Sequence, residues 1–364
     1  MPSGHPNFLG FSTRGSDVQF AAMATGAARH RCRERVVALS GATGDPVALR
    51  LEMVELLRPV VGFDRWCWPV CDPASGLATT ALGEHDYWAV LPRLLLLDQR
   101  LDADDALPAL AAPRATGRRN PGLRFTDVLG PVGIGDELRV PLRDRHGLWG
   151  CLDLMRSSDD PPFSEDDVAL LHSLSEALAR VTRRGSAVGG ASPPSALSAG
   201  VLVLDAELDV RAATPSARAW LGELAPPGMP FADMAAAAVV YNLAARVFAR
   251  GAAGRAQEPA SARVRSITGS WAVVEADDLD PFEQTVAVTI RPAFAAEILD
   301  LRLLAFDLTA REREVVALLV DGNDTRTVSD RLFLSPHTIQ DHLKSIFVKT
   351  GARTRKELVA TLAR

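Results

Sequence analysis

Three polar residues near the C-terminus, Gln340, Asp341 and Lys344, occupy positions that a helix would turn to one side. Ile339, Leu343, Ile346 and Phe347 recur at i, i+4, i+7 and i+8, so an apolar face locks such a helix while the polar three project. Those side chains match the edges of nucleobases. Gln pairs in a bidentate manner with adenine, Lys donates to guanine, and Asp accepts from cytosine N4. Ser335-Pro336 supplies the start, with Ser as N-cap and Pro at the first helical position. Ser335 and Thr338 at that start suit a phosphate oxygen, and Lys349 and Arg353 further on are candidates for the phosphate backbone.

Positioning these residues requires a small helical unit, and the stop and start signals for one are present. Thr309 with Glu312 three residues later is a capping box, and Val315, Val316, Leu318 and Leu319 follow as a buried stripe ended by Gly322. A second helix is expected over about 325–332, the third from Pro336 to Gly351, and a fourth behind the box Thr354/Glu357. Charge singles out the same stretch. The 364-residue chain carries a net charge of −5, yet the segment from Leu308 to Arg364 carries +3, and all three lysines lie there. An acidic body with a basic end points to a polyanion at that end.

The run Leu308-Thr309-Ala310-Arg311-Glu312-Arg313-Glu314-Val315, then Gly322, Ser335-Pro336-His337-Thr338-Ile339, His342-Leu343, Lys349, Gly351 and Arg353, resembles the LuxR-type helix-turn-helix. The resemblance implies a regulator of transcription that binds double-stranded DNA, pairs as a homodimer through its last helix, and places its base-reading positions on Gln340, Asp341 and Lys344. Asp341 stands where Asn is common in that family, so the family's preferred DNA sequence does not carry over.

Upstream, the expected organisation is a mobile leader over 1–30, an α+β domain over 31–184, a Gly/Ala/Ser/Pro-rich linker over 185–198, a second α+β domain over 199–300, and the all-α four-helix unit over 301–364. In the first domain, Asp45-Pro46 starts a helix with Val47, Leu51, Val54, Leu57 and Val61 in its stripe. Strands follow at 65–70, 137–141 and 148–155, and a long helix is capped by Ser164. Its stripe of Val168, Leu171, Leu174, Leu178 and Val181 fits either its own sheet or the same helix of a second chain. Gly147-Leu148-Trp149-Gly150-Cys151-Leu152-Asp153-Leu154 and Phe163-Ser164-Glu165-Asp166-Asp167 resemble a GAF sensor domain. Gly200-Val201-Leu202-Val203-Leu204-Asp205 and Ala212-Ala213-Thr214-Pro215-Ser216-Ala217 resemble a PAS sensor fold.

Trp66, Trp68 and Trp149 could floor a pocket for a small-molecule effector, or fill the core. Cys67 and Cys71 lack the second ligand pair that zinc needs, and leave a redox thiol or a buried structural Cys. The sequence holds no phosphate-binding G-x-x-x-x-G-K-[ST], no G-x-S-x-G elbow and no H-E-x-x-H. No cofactor and no metal is implied. With four cysteines, no export signal and no apolar run near ~18 residues, a place in the reducing cytoplasm away from membranes is expected. The expectation is a sequence-specific transcription regulator that meets the transcription machinery and is not an enzyme. The alternative is a thiol-redox enzyme whose tail is regulatory.

Overall fold

Strand burial alternates along Thr285–Pro292, and Ala262, Val264, Val274, Val286, Val288 and Ile290 meet on one side of a sheet. Two separate five-stranded antiparallel sheets set the architecture of the computed structural model, and in the first of them the central strands are buried on both faces. The structure describes residues 14–84, 90–100, 107, 110–117, 122–187, 197–225, 236–253, 260–280 and 282–362. The first unit contains α1 (Arg14–Gly41), α2 (Pro46–Val61), β1 (Arg65–Cys71), β2 (Ala78–Glu84), α3 (Leu91–Arg100), β3 (Arg114–Gly117), β4 (Ile134–Asp144), β5 (Gly147–Ser157) and α4 (Glu165–Ala187). Its antiparallel sheet runs in the order β2-β1-β5-β4-β3. The second unit contains β6 (Gly200–Leu204), β7 (Val210–Ala213), α5 (Pro215–Leu224), α6 (Ala238–Ala253), β8 (Ser261–Arg265), β9 (Trp271–Asp280) and β10 (Thr285–Pro292). Its order, β7-β6-β10-β9-β8, repeats the topology of the first. Both units are α+β.

The helical end contains α7 (Ala295–Ala305), α8 (Ala310–Val320), α9 (Thr325–Leu332), α10 (Pro336–Thr350) and α11 (Arg355–Leu362). Leu303, Leu308, Val315, Val316, Leu319, Val328, Ile339, Leu343 and Ile346 form one core there. Gly322 and Gly351 adopt positive φ of 87° and 73°, where a β-carbon is disfavoured, and so end α8 and α10.

Three sequence expectations change. Residues 1–13 of the expected leader lie outside the described residues, but 14–30 belong to α1, which continues to Gly41. Its Cys32 and Val36 are buried against α2 and α4, and Arg29 pairs with Asp167 at 2.7 Å, so tertiary burial stabilises a helix whose own apolar periodicity is weak. Gly185, expected in the linker, lies inside α4, while 188–196 lie outside the described residues. On α2 the buried set is Arg50, Met53, Val54, Leu57 and Val61, whereas Val47 and Leu51 are exposed.

The α4 stripe packs inside its own unit. Leu171, Leu174 and Leu178 are fully buried with Trp68, Val140, Leu152 and Val36. The two units meet at the edge strands β2 and β8: Asn242 of α6 donates to the Ala78 carbonyl of β2 at 2.9 Å, and Arg263 of β8 grips Asp72, just past β1, through Nε at 3.0 Å and Nη2 at 2.6 Å. Among the described residues no helix is long and apolar enough to cross a membrane.

Candidate nucleic-acid interface

Ser335 caps α10 as expected. Its Oγ accepts from the Thr338 backbone N–H at 3.1 Å and lies 2.9 Å from the Thr338 hydroxyl. Pro336 occupies the first helical position, where no N–H is needed. Ile339, Leu343 and Ile346 are buried beneath it, and Phe347 is half-buried. Gln340, Asp341 and Lys344 are exposed on the other side. Lys344 Nζ donates to Asp341 Oδ1 at 3.0 Å, and His337 lies 3.7 Å from the other carboxylate oxygen. The Lys344 ammonium holds the Asp341 carboxyl below its ordinary range. The exposed N-terminal half of α10 therefore presents an amide, a carboxylate and an ammonium side by side.

Lys349, a candidate for the phosphate backbone, is engaged within the helical unit. Its Nζ lies 2.6 Å from Glu312 Oε2, and the Glu312 side chain is only 4% exposed. Glu312 also accepts from the Thr309 N–H at 2.7 Å and the Ser345 hydroxyl at 2.6 Å. Burial pushes the Glu312 carboxyl up, but Lys349, Ser345 and Thr309 together outweigh it and hold it at about 2. Lys349 thus braces α10 against α8. The capping pattern pointed to Glu312; its partners lie 33 and 37 residues away, beyond any local signal. Arg353 is exposed, and its backbone N–H donates to Glu357 at 2.8 Å, one residue earlier than a regular capping box. Arg355 reaches the Asn323 carbonyl and Arg311 the Leu332 carbonyl, tying the helices around α10.

Residues 307–362 match the bacterial regulatory proteins of the luxR family, and residues 45–181 match the GAF domain. The spore germination protein GerE of Bacillus subtilis is 39% identical over 57 residues, which is 16% of this chain and 77% of GerE. The chain belongs to the luxR family. An HTH-type transcriptional regulator of Mycobacterium tuberculosis is 42% identical over 57 residues, 16% of the present chain. The luxR-family chain spans only 6% of the length of such mycobacterial relatives. Escherichia coli SdiA aligns over 91% of this chain and 95% of its own at 11% identity, with a TM-score of 0.32, too low to carry an argument.

In this luxR-family protein the aromatic candidates are core residues. Trp66 and Trp68 are buried and donate to Glu84 at 3.1 Å and Thr182 at 3.1 Å. Trp149 donates to Asp144 at 2.9 Å and packs on Leu301 and Ala305 of α7, joining the first unit to the helical end. Each indole N–H has a fixed partner, and none of the three rings lines the cavity between the two α+β units. All four cysteines are buried and none forms a disulfide. Burial, reinforced by Asp153, pushes the Cys71 thiol up to about 12 and Cys151 well above its usual range. These two thiols stay protonated at neutral pH, which removes the nucleophilic form. Among the described residues no cluster of His, Cys, Asp and Glu is arranged to hold a metal ion.

Proposed function

We propose that the chain is a sequence-specific, DNA-binding regulator of transcription. On this reading α10 enters the major groove with Gln340, Asp341 and Lys344 at base edges, while Ser335, Thr338 and Arg353 meet phosphates. The observation that carries it is the capped, locked α10 whose exposed half presents those three side chains. The luxR-family match and the basic balance of the segment support it. A homodimer would meet two half-sites about one turn, ~34–36 Å, apart. The GAF match and the second sheet, whose strand order supports a PAS-like reading, fit sensing of a small-molecule effector. Such a reader works beside the chromosome and the transcription machinery, in the bacterial cytoplasm. The buried, protonated Cys71 and Cys151 speak against the thiol-redox enzyme.

The test is base-by-base DNA binding by the full chain. Gln340→Ala and Lys344→Ala are expected to lose ~1–3 kcal/mol of discrimination, each at one base pair. Arg353→Ala is expected to weaken all sequences alike and to flatten the salt dependence by about one unit. A folded chain that binds no DNA at low salt ends the proposal.

A further inference from the structure

A cavity of about 670 Å³ opens between the two α+β units, on the helix side of the edge strands β2 and β8. The start of α2 forms one wall, the turn from Ser266 to Trp271 another, and Leu301 of α7 borders it. Arg50 lines this space and is 9% exposed. Its Nε donates only a long bond, 3.3 Å, to the Pro46 carbonyl of its own helix. Its Nη1 is buried and has no hydrogen-bond partner, and the guanidinium carbon lies 6.0 Å from the centre of the Trp68 ring.

The charges facing the cavity do not cancel. Arg50, Arg263 and Arg265 line it, against Asp45 and Asp72. Asp72 is occupied by Arg263, and Asp45 accepts from the Ala48 N–H as the cap of α2. Arg265 donates through Nε to the Gly269 carbonyl at 3.3 Å. Burial lowers Arg50 only to about 10, so it remains a cation at neutral pH. Asp45 offsets part of the burial cost of Arg50 from a distance, but among the described residues no ion pair reaches the guanidinium, and a buried cation without a direct partner is costly to fold. Around it the lining offers an apolar body Trp271, Ile267, Val47 and Leu301.

We propose that this cavity binds a small organic anion, a carboxylate or a phosphate ester on an apolar body, whose charged group pairs with the Arg50 guanidinium. Planar bidentate pairing suits both headgroups, and the surrounding apolar residues supply the remaining contact. The occupant would touch both α+β units and α7, the helix that leads into the luxR-family segment.

The probes are salicylate and phenyl phosphate, added at about 10 mM to the full chain against sodium chloride of equal ionic strength, with melting followed by calorimetry. At least one is expected to raise the melting temperature by about 2 °C or more, and which one responds identifies the headgroup. Arg50→Met is expected to abolish that shift while leaving the ligand-free melting temperature unchanged or higher, since it removes an unpaired buried charge. Ile267→Trp, at an exposed lining position, tests the same cavity without touching the core and is expected to blunt the shift. A shift that persists in both variants places the anion elsewhere, such as on the basic C-terminal helices, and overturns the proposal. So does the absence of a shift with both probes.

Discussion

At the scale of single residues, Glu312 and Asp341 show how one carboxylate can hold a helix and another can tune its outer face. Glu312 is buried and satisfied by Thr309, Ser345 and Lys349, and its carboxyl titrates at about 2 rather than 4.5. A folded value below the unfolded one means that its stabilisation is complete above about 4.5 and is lost as the pH falls towards 2. Hydrogen exchange of the α8 and α10 amides is therefore expected to accelerate between those pH values. Lys349→Ala leaves Glu312 buried without its cation, so a loss of ~2–4 kcal/mol is expected, read from the same amides at pH 7. A loss of DNA affinity with unchanged exchange would instead return Lys349 to the phosphate backbone. Asp341 is exposed and bonded to Lys344 at 3.0 Å. Asp341→Asn removes a negative charge from the face turned to a polyanion and releases the ammonium. Tighter binding to most DNA sequences, by up to about tenfold, is expected in a salt titration, with any loss confined to the one base pair that Asp341 reads.

At the scale of elements, local signals were legible and distant ones were not. Asp45-Pro46, Thr309/Glu312 and Ser335-Pro336 announce helix starts because a cap and the N–H it satisfies lie within three residues. On α2 the apolar spacing extends to Val47 and Leu51, but the fold covers Arg50 and Met53 and leaves those two exposed. Which edge is covered depends on α1, whose Ala-rich sequence carries little periodicity, and on the cavity that Val47 borders. Arg50 is unreadable as a site in the sequence because neither its unpartnered Nη1 nor the opposite wall of the cavity, more than 200 residues away, leaves a trace at position 50. On α4 the sequence left two packings open, and the fold places Leu171 and Leu178 at zero exposure against their own sheet. Leu171→Glu with Leu178→Glu is therefore expected to unfold the first unit, because each carboxylate would enter an apolar core at a cost of several kcal/mol, about 3 or more. Loss of near-ultraviolet dichroism from Trp66, Trp68 and Trp149 is the measurement. A folded monomer would show instead that the stripe serves a seam between two chains.

At the scale of the whole molecule, the joint between the sensor-like first unit and the helical end is built from charge. Arg183, near the end of α4, is 4% exposed; its Nε donates to Asp144 at 2.7 Å and its Nη1 to the carbonyls of Leu304 and Ala305, at 3.2 and 3.1 Å. A guanidinium at the last carbonyls of α7 satisfies groups that the helix leaves open and opposes its negative end. Two residues on, Asp307 is bonded to His146 at 2.8 Å, paired with Arg145, and lies 3.6 Å from Arg183. Burial raises the Asp307 carboxyl, but His146, Arg183 and Arg145 outweigh it, so the clasp stays charged until the pH falls below the ordinary 3.8. Its folded value lies below the unfolded one, so the clasp contributes fully at neutral pH and weakens only in acid. Asp307 also has a φ of 60°, a region that Asp and Asn tolerate better than other side chains, which makes Asp307→Asn a change of charge with the backbone kept. Asp307→Asn is expected to loosen the joint: amides in the last turn of α7 exchange about ten times faster, by the ~1.4 kcal/mol that such a factor represents, while those of β4 and β5 do not change. Arg183→Met is expected to do more, since it also uncovers two carbonyls and takes the cation from Asp144, which among the described residues keeps only its bonds from Trp149 and the His146 N–H. In small-angle scattering both variants should give a larger radius of gyration than the parent chain. Equal loosening of β5 and α7 in Asp307→Asn would mean that the first unit and the helical end unfold as one body, and that the charges between them are not a joint.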